Sequence, residues 1–270
     1  MKINLKNPEL KPTRDGYGLG LVEAGEKDER VVVLCADLSE STRSQWFKDK
    51  FPDRFIQMGV AEQNMATVAA GLANYGKIPF ISSYAAFSPG RNWEQIRTTI
   101  ALNNVPVKIG GAHAGISVGP DGATHQQLED IAIMRTMPNM VVLVPCDAIE
   151  AQKATVAAAF NNKPTYIRFG REKSPVFTTV ETPFEIGRAE IFREGKDVSI
   201  ITCGMLLYNA LVAAEKLAQE GIDCEVINFH TIKPLDEKTI TTSAKKTGAV
   251  VSVEEHQING GLGSAIAETL

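Results

Sequence analysis

Six short apolar runs, at residues 31–36, 54–58, 77–83, 105–110, 140–145 and 165–169, constrain this chain more than any other feature. Each is a run of five to seven residues, several rich in β-branched side chains, of the kind that fits a strand buried on both faces. Most are separated by stretches with helical character, at residues 62–75, from near Arg91, 127–136 and 148–160, with another helix at 14–25 before the first run. The 62–75 stretch has small-residue faces (Ala66, Ala69, Ala70, Ala73) that allow close packing, and Gly76 is placed to cap it. Strand and helix in alternation predict an α/β fold with a doubly wound parallel sheet. Sheets of that kind bind ligands beyond the carboxyl ends of their strands. The first such end here carries Asp37-Leu-Ser-Glu-Ser-Thr42.

The alternation fails at residues 172–186, where Pro175, Pro183 and a Thr-Thr-Val-Glu-Thr run interrupt it. The expected organisation is a first domain at 1–173, a linker at 174–188 and a smaller α/β domain at 189–270. In the latter, strands are expected at 197–202, 223–228 and 248–253. A helix is expected at 205–220, closed by Gly221, and another from near Gly261. The end at Leu270 falls inside that last helix, so an incomplete second domain is expected. Residues 1–13, polar and with two prolines, are expected to lie over the surface of this or a partner chain.

Composition narrows the functional classes. The net charge is −4 and no basic block occurs, which argues against non-specific nucleic-acid binding. The four cysteines, Cys35, Cys146, Cys203 and Cys224, are far apart and three sit in apolar runs; buried reduced thiols are expected rather than metal ligands. The N-terminus lacks the apolar core of a signal peptide and no run is long enough to span a membrane, so a cytoplasmic location is expected.

Three segments between Phe55 and Glu129 carry the chemistry: Met58-Gly-Val-Ala-Glu-Gln-Asn-Met65, Tyr84-Ala-Ala-Phe87 and Asp121-Gly-Ala-Thr-His-Gln126. The first sets one carboxylate, Glu62, at a strand-to-helix turn among small and apolar neighbours. An acid there ordinarily serves the helix dipole; these neighbours suggest limited solvent instead. The second sets two aromatics at a strand end. Either alone reads as a core residue, but a strand-end position suits a flat ligand. The third places an acid, a glycine and a histidine in a loop. Two of the four histidines, His113 and His125, flank the glycine-rich stretch that contains Asp121. A carboxylate, an aromatic platform and polar loop groups together suit an aromatic nitrogen heterocycle with a charged substrate beside it.

In this order and spacing, the three segments resemble the C-terminal half of transketolase, the thiamine-diphosphate enzyme, from about Arg14 to the end. The resemblance implies a pyrimidine-binding domain followed by a transketolase-like C-terminal domain. It assigns Glu62 to the ring nitrogen of the aminopyrimidine, a contact that favours the imino tautomer, whose nitrogen removes the C2 proton of the thiazolium. Phe87 stacks on the pyrimidine, Tyr84 lies close by, and Asp37 is set among the cofactor contacts. His113 and His125 face the sugar, His113 helps hold its phosphate, and Asp121 meets a hydroxyl next to the reacting carbon. Arg14, Ser41 and Arg171 match the phosphate-end positions, where a planar guanidinium meets phosphate oxygens in pairs. Arg168 competes with Arg171, which is preferred because it lies past the strand end, after Gly170. Arg91 and Trp93 are read as helix-start and packing residues. His230 and His256 receive no catalytic role, and the Glu254-Glu-His-Gln-Ile-Asn-Gly-Gly261 segment is read as structural, its glycines allowing a tight turn.

The family's Gly-Asp-Gly grip on diphosphate and Mg²⁺ does not occur in this chain. The resemblance therefore implies a split enzyme. An N-terminal partner subunit would hold the diphosphate and the metal, this chain would hold no metal, and two copies of each would form a heterotetramer. Sugar phosphates of the pentose phosphate pathway are the implied substrates. The β subunit of a 2-oxoacid dehydrogenase is a rival; it usually carries His-Ser-Gln where this chain has Thr124-His-Gln. Deoxyxylulose phosphate synthase shares Asp-Gly-x-Thr-His but is one long chain. A non-catalytic module of the same fold is the rival from another class.

Overall fold

The computed structural model describes residues 5–270. The chain enters through β1 (Glu9–Pro12), α1 (Thr13–Lys27) and β2 (Val31–Cys35). Two short helices, α2 (Ser39–Thr42) and α3 (Ser44–Lys50), and a 3₁₀ turn (Pro52–Arg54) lead to β3 (Phe55–Gln57). Then come α4 (Glu62–Asn74), β4 (Ile78–Tyr84) and α5 (Trp93–Gln95), which widens into a π-helical segment (Ile96–Ala101). Next are β5 (Lys108–Ala112), α6 (Asp130–Arg135), β6 (Val141–Leu143), α7 (Ala148–Phe160) and β7 (Thr165–Arg168). β8 (Lys173–Val176) and β9 (Glu190–Arg193) precede a second α/β unit: β10 (Val198–Thr202), α8 (Leu206–Gln219), β11 (Cys224–Asn228), β12 (Thr231–Lys233), α9 (Glu237–Thr247), β13 (Val250–Val253) and α10 (Leu262–Thr269).

The first sheet has the order β12-β6-β7-β5-β4-β2-β3 and is parallel except at β12. β2 shows why the chain winds helices onto both faces. Val32 and Leu34 point into one core with Met65 and Ala66 of α4, whereas Val31 and Val33 point into the other with Tyr17 and Leu21 of α1. All five β2 residues are buried, which is why the strand reads as continuously apolar. Gly110 and Gly111 in β5 admit a tyrosine on each face: a Cβ at Gly110 would meet the Tyr17 hydroxyl at 2.5 Å, and one at Gly111 would meet Tyr166. The smaller sheet, β13-β10-β11-β9, is parallel except at β9, and its core joins Ile200, Leu207, Leu211 and Val226.

Four features depart from the sequence reading. β5 sits two to three residues later than the apolar run at 105–110, because Pro106 cannot donate to a ladder and the glycines after Lys108 can enter one. Residues 127–129 lie outside α6, as part of the loop before it. The stretch expected as linker begins with β8, which pairs antiparallel with β1 (Leu10 opposite Pro175). Pro175 is tolerated because the two-stranded ribbon has free edges. The expected surface course of residues 1–13 is described only from Leu5 onward; residues 1–4 lie outside the described residues. Most consequentially, β12 leaves the second unit and pairs with β6 of the first sheet, Thr231 opposite Leu143. Among the described residues, no helix is long and apolar enough to cross a membrane.

Candidate active site

Parallel strands β2, β4 and β5 end side by side, with Cys35 opposite Ser82 and Tyr84 opposite Ala112. Their carboxyl ends, with the first turn of α4, bring most of the expected residues into one place. Glu62 opens α4 and is 2% exposed. Its Oε2 accepts from Arg91 Nη1 at 2.8 Å, and its main-chain oxygen accepts from Asn92 Nδ2 at 3.0 Å. Among the described residues, Oε1 accepts no hydrogen bond. The Arg91 guanidinium also lies 4.7 Å over the Phe87 ring. Arg91 is therefore more than the helix-start residue expected of it. The sequence signal was its four-residue offset from Phe87, which one helical turn converts into contact: the Arg91 N–H donates to the Phe87 oxygen at 3.0 Å.

The rings form a cluster. Tyr84 stacks on His113 with centroids 3.9 Å apart and lies near-parallel to Phe87 at 6.1 Å. His125 meets both Tyr84 (5.7 Å) and Phe87 (5.3 Å) edge-on. Two residues 41 positions apart, Tyr84 and His125, thus share one wall. His113 adopts φ 57°, a left-handed backbone that costs a non-glycine residue free energy. Its Nδ1 is buried without a partner. Burial lowers its pKa to about 3, helped by the charges of Arg14 and Arg171.

Those arginines converge on the same point from different elements. Arg14, in the first turn of α1, donates from Nη1 to the Ser41 main-chain oxygen at 3.1 Å, and its Nε is buried without a partner. Burial and the neighbouring charge of Arg43 lower its pKa. Arg171 donates to the Val118 oxygen at 2.9 Å and pairs with Glu172 at 2.9 Å. Arg43 was not anticipated; it sits at φ 65° between α2 and α3 and is held by Asp15 at 2.7 Å. Arg168 has a different office. It is buried, donates from Nε to Asp130 at 2.8 Å and from Nη2 to the Glu255 oxygen at 2.7 Å, and the Asp130 charge keeps its pKa raised despite burial. That leaves Arg171 as the arginine at the loop.

Asp37 and Asp121 stand apart from this cluster. Both are exposed, and among the described residues neither carboxylate makes a hydrogen bond or ion pair. Asp37 lies at the end of β2 with φ 60°, its amide donating to Gln57 Oε1 at 2.9 Å. Asp121 precedes a 3₁₀ turn (Gly122–Thr124) in the loop that also carries His125, whose Nδ1 is 2.8 Å from the Thr124 hydroxyl.

The donor set fits thiamine diphosphate at its pyrimidine end. A buried carboxylate with one oxygen free, beside stacked rings, suits a heteroaromatic ring with a protonatable nitrogen. The unpartnered His113 Nδ1 and Arg14 Nε, ringed by guanidinium groups, suit an anionic oxygen cluster further out.

A doubly wound sheet with this strand-end arrangement fits the pyrimidine-binding class of thiamine-dependent enzymes. Family models for the transketolase pyrimidine-binding domain and the transketolase C-terminal domain match residues 10–176 and 187–270. A protein named as a transketolase C-terminal section, from Methanocaldococcus jannaschii, is 47% identical over 262 residues, 96% of this chain and 82% of that protein. The 6-deoxy-6-sulfo-D-fructose transketolase subunit SqwH of a Clostridium species is 43% identical, over 95% of this chain and 80% of the relative. A solved structure titled as a split-gene transketolase, inactive beta4 tetramer, superposes with a TM-score of 0.89 at 46% identity, over 96% of this chain and 85% of that one. The chain belongs to the transketolase family and corresponds to its C-terminal section.

Proposed function

We propose that this chain is the C-terminal subunit of a split transketolase that moves a two-carbon ketol unit from a ketose phosphate to an aldose phosphate. The observation that carries this reading is Glu62, a buried carboxylate with one oxygen fixed by Arg91 and the other free beside the Tyr84–Phe87 rings. Thiamine diphosphate, when bound here, would supply the nucleophilic carbon for a ketose carbonyl. Glu62 Oε1 holds the proton shared with the pyrimidine nitrogen, and Arg91 keeps the carboxylate from rotating away. Phe87 and Tyr84 set the plane of the ring and exclude water from it. His125 and His113 stand where the sugar carbonyl and hydroxyls arrive and donate to oxygen as it gains charge. Arg14 and Arg171, with Ser41, take the phosphate, and Asp121 a hydroxyl next to the reacting carbon. Asp37 completes the cofactor contacts at the end of β2.

The diphosphate and Mg²⁺ fall to an N-terminal partner subunit carrying Gly-Asp-Gly, and two copies of each chain assemble. The relatives named as a C-terminal section and as a subunit support a divided enzyme. Purified alone, the chain is expected to self-associate and to show no ketol transfer. Mixed with its partner, thiamine diphosphate and Mg²⁺, it is expected to convert ketose and aldose phosphates. Turnover by the single chain, or none by the reconstituted pair on any phosphorylated ketose, would count against this reading; activity on a 2-oxoacid would favour the dehydrogenase rival.

A further inference from the structure

We propose that the carboxylate of Glu255, delivered by the C-terminal domain, is the positioning residue for the loop that carries Asp121 and His125. That loop, residues 115–128, is closed at its base by a two-residue bridge: Gly115 N–H donates to Gln127 at 2.8 Å and Gln127 N–H returns to Gly115 at 3.2 Å. Both feet are then gripped by one turn beyond β13. Ser117 N–H donates to Glu255 Oε1 at 2.6 Å on the outgoing side. On the returning side, Gln257 N–H donates to the Leu128 oxygen at 2.9 Å and Ala132 N–H to His256 Nε2 at 3.3 Å. The turn itself is held to the first sheet, because buried Arg168 donates to the Glu255 main-chain oxygen while paired with Asp130 at the start of α6. Gly115, at φ 91°, leaves the space against its backbone that the Glu255 side chain occupies.

The charges make this more than packing. An acceptor carrying a full charge holds the Ser117 amide more tightly than a neutral one, and at 2.6 Å the bond is short. The segment from Ile116 to His125 has few other ties: Gln126 Nε2 to the Ile116 oxygen at 3.0 Å and Arg171 to Val118. Releasing the Glu255 contact therefore loosens the arm that puts His125 edge-on to Tyr84 and Phe87, 5.7 and 5.3 Å away. The C-terminal domain, which contributes no ring or cation to the cluster, thus acts on substrate through the loop.

The test has two arms, of which the kinetic one rests on the transketolase reading. Amide hydrogen exchange on the chain, alone and with its partner subunit, reads the loop directly. Glu255→Ala is expected to speed exchange across 116–125 by about tenfold while β10 and α8 keep their protection. Glu255→Gln, which retains an acceptor for Ser117, restores it at least in part; Glu255→Asp, one methylene short, falls between. With the reconstituted enzyme, Glu255→Ala is expected to raise KM for the phosphorylated acceptor about tenfold, with thiamine diphosphate affinity unchanged within twofold. Unchanged loop exchange in both the Ala and Asp variants would overturn the proposal. So would a Gln variant as loose as Ala, or a fall in cofactor affinity parallel to the rise in KM. If the wild-type pair shows no ketol transfer, the functional reading fails while the exchange result still decides the role of Glu255.

Discussion

His113 and His230 are both buried, each has a buried ring nitrogen without a partner, and both lie at the carboxyl end of a parallel sheet. They differ in what surrounds them. His230 is stacked 4.3 Å from Phe184, and burial alone lowers its pKa to about 4. His113 has burial and, in addition, Arg14, Arg171 and Arg43 pressing on it. The contrast extends to the two sheet ends. The first leaves Glu62 Oε1 without a hydrogen bond and His113 Nδ1 and Arg14 Nε buried without partners. The second spends its groups on domain contact: the His230 oxygen accepts from Val144 N–H at 2.8 Å, Asn228 Nδ2 donates to buried Glu150 at 2.8 Å, and Glu255 takes Ser117. One sheet geometry thus leaves buried polar groups unpaired at one end and uses them for domain contact at the other. The sign of function is a surplus of charge around a buried polar group, not burial itself.

The largest expected effect tests the ligand end. Glu62→Gln keeps the volume and the contact with Arg91 but loses the basic oxygen. In the reconstituted enzyme it is expected to cut ketol transfer by about a thousandfold, the scale of a lost acid–base group, with the thermal midpoint little changed. A rate within tenfold of wild type would remove Glu62 from the chemistry and erase the distinction between the two ends.

The next tests the docking end through pH. Glu150 is buried between Asn228 and the Cys146 amide, and burial raises its pKa from 4.5 to about 7. A folded pKa above the unfolded one means that the folded form takes the proton more readily. The stability this confers is complete below pH 4.5 and lost as pH rises through 7. About 2.5 pKa steps correspond to roughly 3 kcal/mol. His113 and His230 act oppositely, withdrawing stability below pH 6.5, so the difference between wild type and Glu150→Gln isolates the carboxyl. Denaturant unfolding is expected to favour wild type over the variant by about 3 kcal/mol more at pH 4.5 than at pH 8. A constant difference across that range would show Glu150 to be an ordinary ionised carboxylate.

The legibility of these two ends in the sequence was unequal for a physical reason. The inner strands of the first sheet are buried on both faces, so β2, β4 and β6 announce themselves as apolar runs, and strand-end residues such as Tyr84 and Phe87 follow from where β4 stops. Pairings between distant segments leave no periodic trace. Nothing local in Thr231-Ile-Lys233 says that it will leave its own unit for β6, nor in Lys173-Ser-Pro-Val176 that it will pair with residues 9–12. The same limit hid Arg91's pairing with Glu62, 29 residues away, and the grip of Glu255 on Ser117 across 138. Arg168 and Arg171 were separable only in part, since both lie near one strand end; the buried partner Asp130, 38 residues from Arg168, is what divides them.

The smallest expected effect bears most directly on the two histidines. Asparagine tolerates a left-handed backbone, so it suits the φ of 57° at His113 and can be placed at both positions. At His113 it removes a ring nitrogen that feels the charges of Arg14 and Arg171, and the loss is expected to fall on an anionic substrate. KM for the phosphorylated substrate is expected to rise about tenfold, the worth of one hydrogen bond to a charged group, while an unphosphorylated analogue is affected less than threefold. At His230 the same substitution removes a ring packed on Phe184 and is expected to lower stability by about 1–3 kcal/mol with KM unchanged within twofold. If both variants moved KM alike, the charges around His113 would not mark a phosphate site. If neither did, the anion would be held by the arginines alone, and His113 would join His230 as a buried ring whose unpartnered nitrogen follows from packing.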